Sequence, residues 1–298
     1  MLLLAMVLSA TEAFAQTVGT VFEYRGCEYR VSKKDLQNTA LNEAVVLTVK
    51  GNGRVTIPTK VQTPDTHLPR FHKEARQMAL ELGELSVENL AKELKCNDKI
   101  ALENKLRYQD FFNEDAYLPA LLAYYGQAYK YLKAEEYSLN DFLYADKHLW
   151  ITSFLYGLLR PLDLIHPYRL EGKTKLPSAE GKNIFDYWRP LLTDMLIKTL
   201  KADDGILVYL AAEEFKHLFD WKRLKKEARV IHPFFMVDQG SQLKAINVYA
   251  KSCRGAMTSY IIRNQLTSYD NLLDFELDGF TYQPDYGDEE HPHFILRT

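Results

Sequence analysis

The segment 153–172 crowds side chains able to do chemistry around two prolines. Arg160, Asp163, His166, Tyr168, Arg169 and Glu171 lie beside Pro161 and Pro167. Proline fixes its own φ, so its neighbours are held in set positions, as a site requires. Arg160 and Arg169 each carry a planar guanidinium fork that grips phosphate at two points, which lysine cannot do. His166 is of the type that carries protons near neutral pH. With Lys251 and Glu213, these groups are the convergence an enzyme cleft needs. No nucleophile–base pair is readable from their spacing, so no catalytic residue is assigned. A second cluster, Glu213, Glu214, His217 and Asp220, has the i, i+3/i+4 spacing of a metal-ligand face on a helix, and iron is the metal to test there. The bland reading, a surface helix, is preferred, and no metal or cofactor is assigned.

The elements that must position these groups follow from pattern and punctuation. Phe71, Ala75, Met78, Ala79 and Leu82 share one face of a helix over 68–82. Ser86 and Asn97 can cap two further helices, over 85–94 and 98–111. Ser138 with Asp141 forms a capping-box start for a long helix that runs to Arg160, where Pro161 stops it. Within it, Leu149, Ser153, Tyr156 and Arg160 recur at helical spacing. Leu162, Leu164 and Ile165 then read as a plug into a core. Asn183 opens another helix, unless Pro190 sets its start. The apolar run 206–211 suits a central strand. Segments 229–237 and 243–251 flank a hairpin turn at 238–241, a helix covers 254–266, and short strands end the chain at 280–283 and 293–297. Helices and strands mix without regular alternation, so the fold class is α+β or irregular α/β in one mixed domain, 63–298.

The first 62 residues differ in character. Residues 2–9 are apolar, and Ala13-Phe14-Ala15 resembles a small-x-small cleavage site, yet no Lys or Arg precedes them. Residues 1–15 therefore read as a signal-like apolar segment, a buried strand or a misassigned start, and export stays open. Residues 16–62 form a β-rich leader, with turns at Arg25-Gly26 and Gly51-Asn52-Gly53.

Composition excludes several classes. The chain has 298 residues, formal net charge −3, 47% hydrophobic and 26% charged residues, as an ordinary globular protein does. Charge is uneven: 216–229 holds six basic and two acidic residues, whereas 270–290 holds eight acidic and no basic ones. That asymmetry can build a basic face on a mildly acidic protein. Cys27, Cys96 and Cys253 are far apart, which argues against a disulfide framework or structural zinc and fits a reducing compartment. No Gly-x-Gly-x-x-Gly, phosphate-loop or Gly-x-Ser-x-Gly motif is present. The apolar segment 2–9 is too short to span a membrane, and no membrane partner is expected.

Segment 153–172 resembles the signature block of the YaaA peroxide-stress protein family. The resemblance extends over about 69–280 through three more blocks, 120–126, 209–215 and 249–257. It implies a cytoplasmic bacterial protein that limits hydrogen-peroxide damage, lowers free iron under that stress, and binds double-stranded or structured DNA without sequence preference. It implies no enzymatic reaction, and a monomer is expected. The implied fold is an α/β domain with a helix–hairpin–helix element and a cationic cleft. Lys251, Arg254 and Gly255 match the family's Lys-x-x-Arg-Gly element, and Arg160, Arg169 and Glu171 match the signature block. Read here, Lys251 ends a strand and Arg254 opens a helix, so two cations flank free N–H groups at a helix start. The helix–hairpin–helix candidate is the pair over 85–94 and 98–111, where Lys99 and Lys105 join Lys92 and Lys95 as phosphate contacts. Its turn, Lys95 to Asp98, lacks the usual glycine. The chain departs from the family elsewhere. The opening strand and its following lysine are missing, with 2–9 or 45–49 as substitutes for the strand. Tyr209 and Ala212 stand where the family commonly has Asn and Ser.

Overall fold

The structure, a computed structural model, describes residues 3–5, 21–24, 27–30, 43–46, 59–113, 117–240 and 242–297. Its centre is a five-stranded sheet in the order Arg229–Ile231, Ile206–Tyr209, Leu3–Ala5, Leu149–Ser153, Gly157–Leu159. The first four strands run parallel and the last closes an antiparallel hairpin. The fold is thus a mixed α+β domain. Leu3–Ala5 pairs with strands on both sides (Leu4 opposite Val208 and Leu149) and fills the central slot for which two segments were candidates. A second sheet, Leu243–Lys244, Phe234–Asp238, Pro292–Arg297, Phe280–Gly287, packs against the long helix Asn247–Arg263. In the leader, Val21–Tyr24 pairs with Cys27–Arg30, and Glu43–Val46 pairs with Thr59–Gln62. The turns expected at Arg25-Gly26 and Gly51–Gly53 lie outside the described residues.

Local chemistry sets most helix starts. The side chains of Ser86, Asn97 and Asn183 accept from the amides of Asn89, Ile100 and Asp186. Each cap satisfies a donor the helix cannot. Ser138 and Asp141 complete a reciprocal capping box. The Asn183-capped helix runs Ile184–Lys201 with Pro190 inside it, so Asn183, not the proline, sets its start.

Three expectations are corrected. The helix from Ser138 ends at His148, and Leu149–Ser153 and Gly157–Leu159 form a buried hairpin instead. A strand buried on both faces need not alternate apolar with polar residues, so helical spacing can be matched by accident. Gly157, at φ +72°, makes the turn; a Cβ there would stand 3.0–3.2 Å from Leu192, Phe71 and Trp188. Second, the strand expected over 229–237 is two strands in different sheets, broken at His232-Pro233. Third, only Leu243–Lys244 of the expected 243–251 strand is extended, and the helix begins at Asn247.

Aromatic residues fill the core. Trp188, Tyr108, Tyr156, Tyr168, Tyr209 and Phe111 are among its largest fully buried side chains. Burying each contributes roughly 1.5–3 kcal/mol. The phenols find partners: Tyr168 bridges Ser153 at 2.6 Å and Tyr124 at 2.9 Å, while Tyr156 accepts from the His166 amide at 3.0 Å.

Candidate functional site

Ligands of open α/β sheets bind outside the carboxyl ends of the strands, where the strand order switches direction. Here the switch falls between Leu3–Ala5 and Ile206–Tyr209. Beyond Tyr209 the chain turns into a short 3-10 segment, Glu213–Leu218, while His232 follows the neighbouring strand directly. The helix Asn247–Arg263 brings Arg254 to the same place.

These residues form a cationic cluster. The Lys216 ammonium is 2.7 Å from Glu213 Oε1 and donates towards His232 Nδ1 at 3.4 Å. It also lies 5.6 Å and 5.3 Å from the ring centres of Tyr209 and Trp221. His232 is 5% exposed. Burial first, then the charges of Lys216, Arg254, His291 and Lys225, pull its pKa down to about 3, so it is neutral at ordinary pH. Arg254 is half-buried. Its Nε is shut off from solvent without a hydrogen-bond partner, and among the described residues no carboxylate forms an ion pair with it. Glu213 acts on it only from beyond that range, and burial lowers its pKa. A buried cation left so poorly matched is costly unless something else completes it.

Arg169 lies towards the other member of the Glu213–Glu214 pair. Its Nη2 is 3.1 Å from Glu171 Oε1. Burial raises the Glu171 pKa, opposed most by the Arg169 charge, while the Glu214 charge adds to the rise and Lys95 opposes it. Tyr108 donates its hydroxyl to the Arg169 carbonyl, and Thr174 Oγ1 donates to the Glu93 carbonyl at 3.2 Å. The signature block is thereby tied to the helix Asp98–Gln109, and the residues just after it to the helix Val87–Glu93.

Arg160 belongs to a separate clasp. Its Nη1 is 3.3 Å from Asp146, and its amide donates to Asp163 at 2.6 Å. His67 bridges Asp163 at 2.7 Å and Asp146 at 3.1 Å. Asp163 is 2% exposed, and its pKa is pushed up to about 6. Burial raises it; the Arg160 amide and the charge and hydrogen bond of His67 oppose the rise. A folded-state pKa above the unfolded value means the native state holds the proton more tightly. That stabilisation is complete below about pH 4 and lost as pH rises through about 6. Against Asp163→Asn, a permanently neutral stand-in, the wild type should therefore lose relative stability between pH 4 and 6 and change little above. Urea unfolding of both proteins across that range checks this, and a pH-independent gap would refute it.

The remaining expected residues lie elsewhere. Lys105 donates to the carbonyls of Gly83, at 3.0 Å, and Leu85, so it holds the carboxyl end of the helix His72–Glu84. Lys99 is exposed on its helix. Lys251 is exposed in the second turn of Asn247–Arg263, with Arg254 one turn further on, so neither flanks that helix's first amides. His166 is 1% exposed; its Nε2 contacts the Asn113 carbonyl at 2.9 Å, and Phe111 and Tyr117 cover its ring. Arg160, His166, Arg169 and Lys251 thus sit in different surroundings, and the enzyme cleft expected of them is not assembled. The proposed iron face also dissolves. Glu213 binds Lys216, Asp220 caps the helix Trp221–Glu227, and the His217 ring meets the edge of Phe185. No group of three metal-ligating side chains occurs among the described residues. Sequence reasoning missed His232 and gave Lys216 no role beyond its basic run. The one local signal was a His-Pro step ending an apolar strand.

A cavity of about 180 Å³ lies on another part of the long helix, lined in part by Tyr131, Tyr249, Cys253, Asp278 and Phe280. Burial pushes the Cys253 thiol up to about 12, far from the thiolate that reacts with peroxide.

Fold and site together define a mixed α+β protein with a cationic cluster at the carboxyl ends of a parallel sheet. The chain belongs to the YaaA peroxide stress protein family, whose model matches residues 51–286. Its relatives include a UPF0246 protein of Phocaeicola vulgatus, 47% identical over 80% of this chain and 94% of its own length. Another from Bacteroides fragilis is 48% identical over 78% and 90%, and one from Porphyromonas gingivalis is 40% identical over 78% and 91%. Among the described residues no helix is long and apolar enough to cross a membrane.

Proposed function

We propose that this chain is a cytoplasmic peroxide-stress protein that binds DNA through its phosphates and so limits iron-dependent oxidative damage. The observation that carries the reading is Arg254, a half-buried guanidinium with an unused donor and, among the described residues, no paired carboxylate. Phosphate is the natural complement of such a group, and Lys216 and Lys251 add charge nearby in the fold. Arg169 and Lys99 extend the cationic set towards the helix pair, which is the helix–hairpin–helix candidate. Lys95 supports that assignment: at φ +48° it takes the left-handed conformation usually given to glycine, so the turn closes without one. Arg169 is paired with Glu171, Arg160 is held in the His67 clasp and Lys105 closes a helix end, so all three contribute less than Arg254.

Contacts to phosphate make binding steeply salt-dependent, with log K falling by about 0.9 per phosphate neutralised for each unit of log salt. Fluorescence anisotropy with labelled duplex and junction DNA should show such a linear fall and little sequence preference. Absence of binding at low salt would remove the reading.

A further inference from the structure

We propose that Arg254, Lys216 and His232 form a site for a single phosphomonoester, a phosphate at the end of a nucleotide or DNA strand. This rests on the phosphate reading above and names the part of the molecule that is bound. Depth is the first reason. Arg254 Nε has no solvent contact, Lys216 is 23% exposed at its side chain, and His232 is buried. An internal phosphate of a duplex has neighbours on both sides and two free oxygens, so it engages these three groups only in part. A terminal phosphate has one ester bond and three free oxygens, and can engage all of them.

Charge is the second reason. Two cations face one carboxylate, Glu213, whose side chain is 67% exposed. Lys216, Arg254, His291 and Lys225 all act on His232 as positive or potentially positive charges, the Glu213 carboxylate lies 3.9 Å from its Nε2, and Lys225 shares its charge with Glu290 at 3.7 Å. A monoester carries up to two negative charges, a diester one, so the monoester better matches the surplus. Chemistry of the donors is the third. Arg254 offers a fork, Lys216 a point charge, and neutral His232 a ring N–H. Position is the fourth, because the carboxyl ends of parallel strands beside a switch point are where such folds take ligands.

The test has two arms, one per source of the phosphate. In the first, calorimetry measures adenosine monophosphate and adenosine with the wild type, Arg254→Gln and Lys216→Met, with folding checked by circular dichroism. In the second, anisotropy compares one duplex carrying 5′-phosphates or 5′-hydroxyls. The proposal expects the nucleotide to bind and the nucleoside not, with at least tenfold loss in both variants. If DNA ends are the source, the phosphorylated duplex also binds at least tenfold tighter. Nucleotide binding without any DNA binding supports the monoester site and removes the DNA reading. DNA binding that ignores end phosphorylation, with no nucleotide binding, overturns the monoester site and leaves the DNA reading standing.

Discussion

Replacing Gly255 by alanine is expected to destabilise the folded protein by about 2–3 kcal/mol. A Cβ at this position would lie 1.9 Å from the Ala128 carbonyl oxygen and 2.7 Å from its carbon. Those atoms are backbone, so no rotamer change can relieve the clash. The helices Gln127–Leu132 and Asn247–Arg263 would have to part, straining the 2.8 Å bond from Gln127 to Ser252 one turn away. Alanine's better helix propensity returns about 1 kcal/mol at most. Gly83→Ala is the control. A Cβ there meets Tyr108 at an ordinary 3.5 Å, so that change should be neutral or stabilising by up to about 1 kcal/mol. Urea unfolding should show a lower midpoint with unchanged slope for Gly255→Ala only. Equal midpoints for Gly255→Ala and the wild type would refute the close crossing.

One residue earlier, the expected sign reverses. Arg254→Met should leave stability unchanged or raise it by about 1 kcal/mol while abolishing DNA and phosphate binding. Methionine keeps much of the arginine stem's packing and removes a buried cation with an unsatisfied Nε. Sites that bind ligands hold groups that are poorly satisfied until the ligand arrives, so removing one commonly trades function for stability. Thermal unfolding and anisotropy, run on the same preparation, separate the cases. A clear loss of stability would make Arg254 a structural residue and count against the site. The two substitutions neighbour each other on one helix, and a general perturbation of that helix could not move them in opposite directions.

Parts of this were legible in the sequence for local reasons. Helix starts at Ser86, Asn97, Ser138 and Asn183 were readable because a cap is a contact over three residues. The paired strands Val21–Tyr24 and Cys27–Arg30 and the interior strand from Ile206 followed from β-type composition and an apolar run. The 149–159 hairpin was not legible, because burial on both faces erases the alternation that marks a strand. The helix start at Asn247 was missed because it lacks a side-chain cap.

The site divides the same way. Sequence alone determined the family, the capped helices and the mixed α+β class, and it named Arg169 and Arg254 as candidate cations. Tertiary structure decided which cations are already engaged. Lys105 closes a helix end, Arg160 joins the His67 clasp, and Arg254 is left with an open donor. It also decided that Lys216 and His232, sixteen residues apart, meet at 3.4 Å. Whether a charge is paired depends on groups brought together by the packing of distant segments. A sequence can show that an arginine is present, but only the fold shows that no carboxylate among the described residues pairs with it.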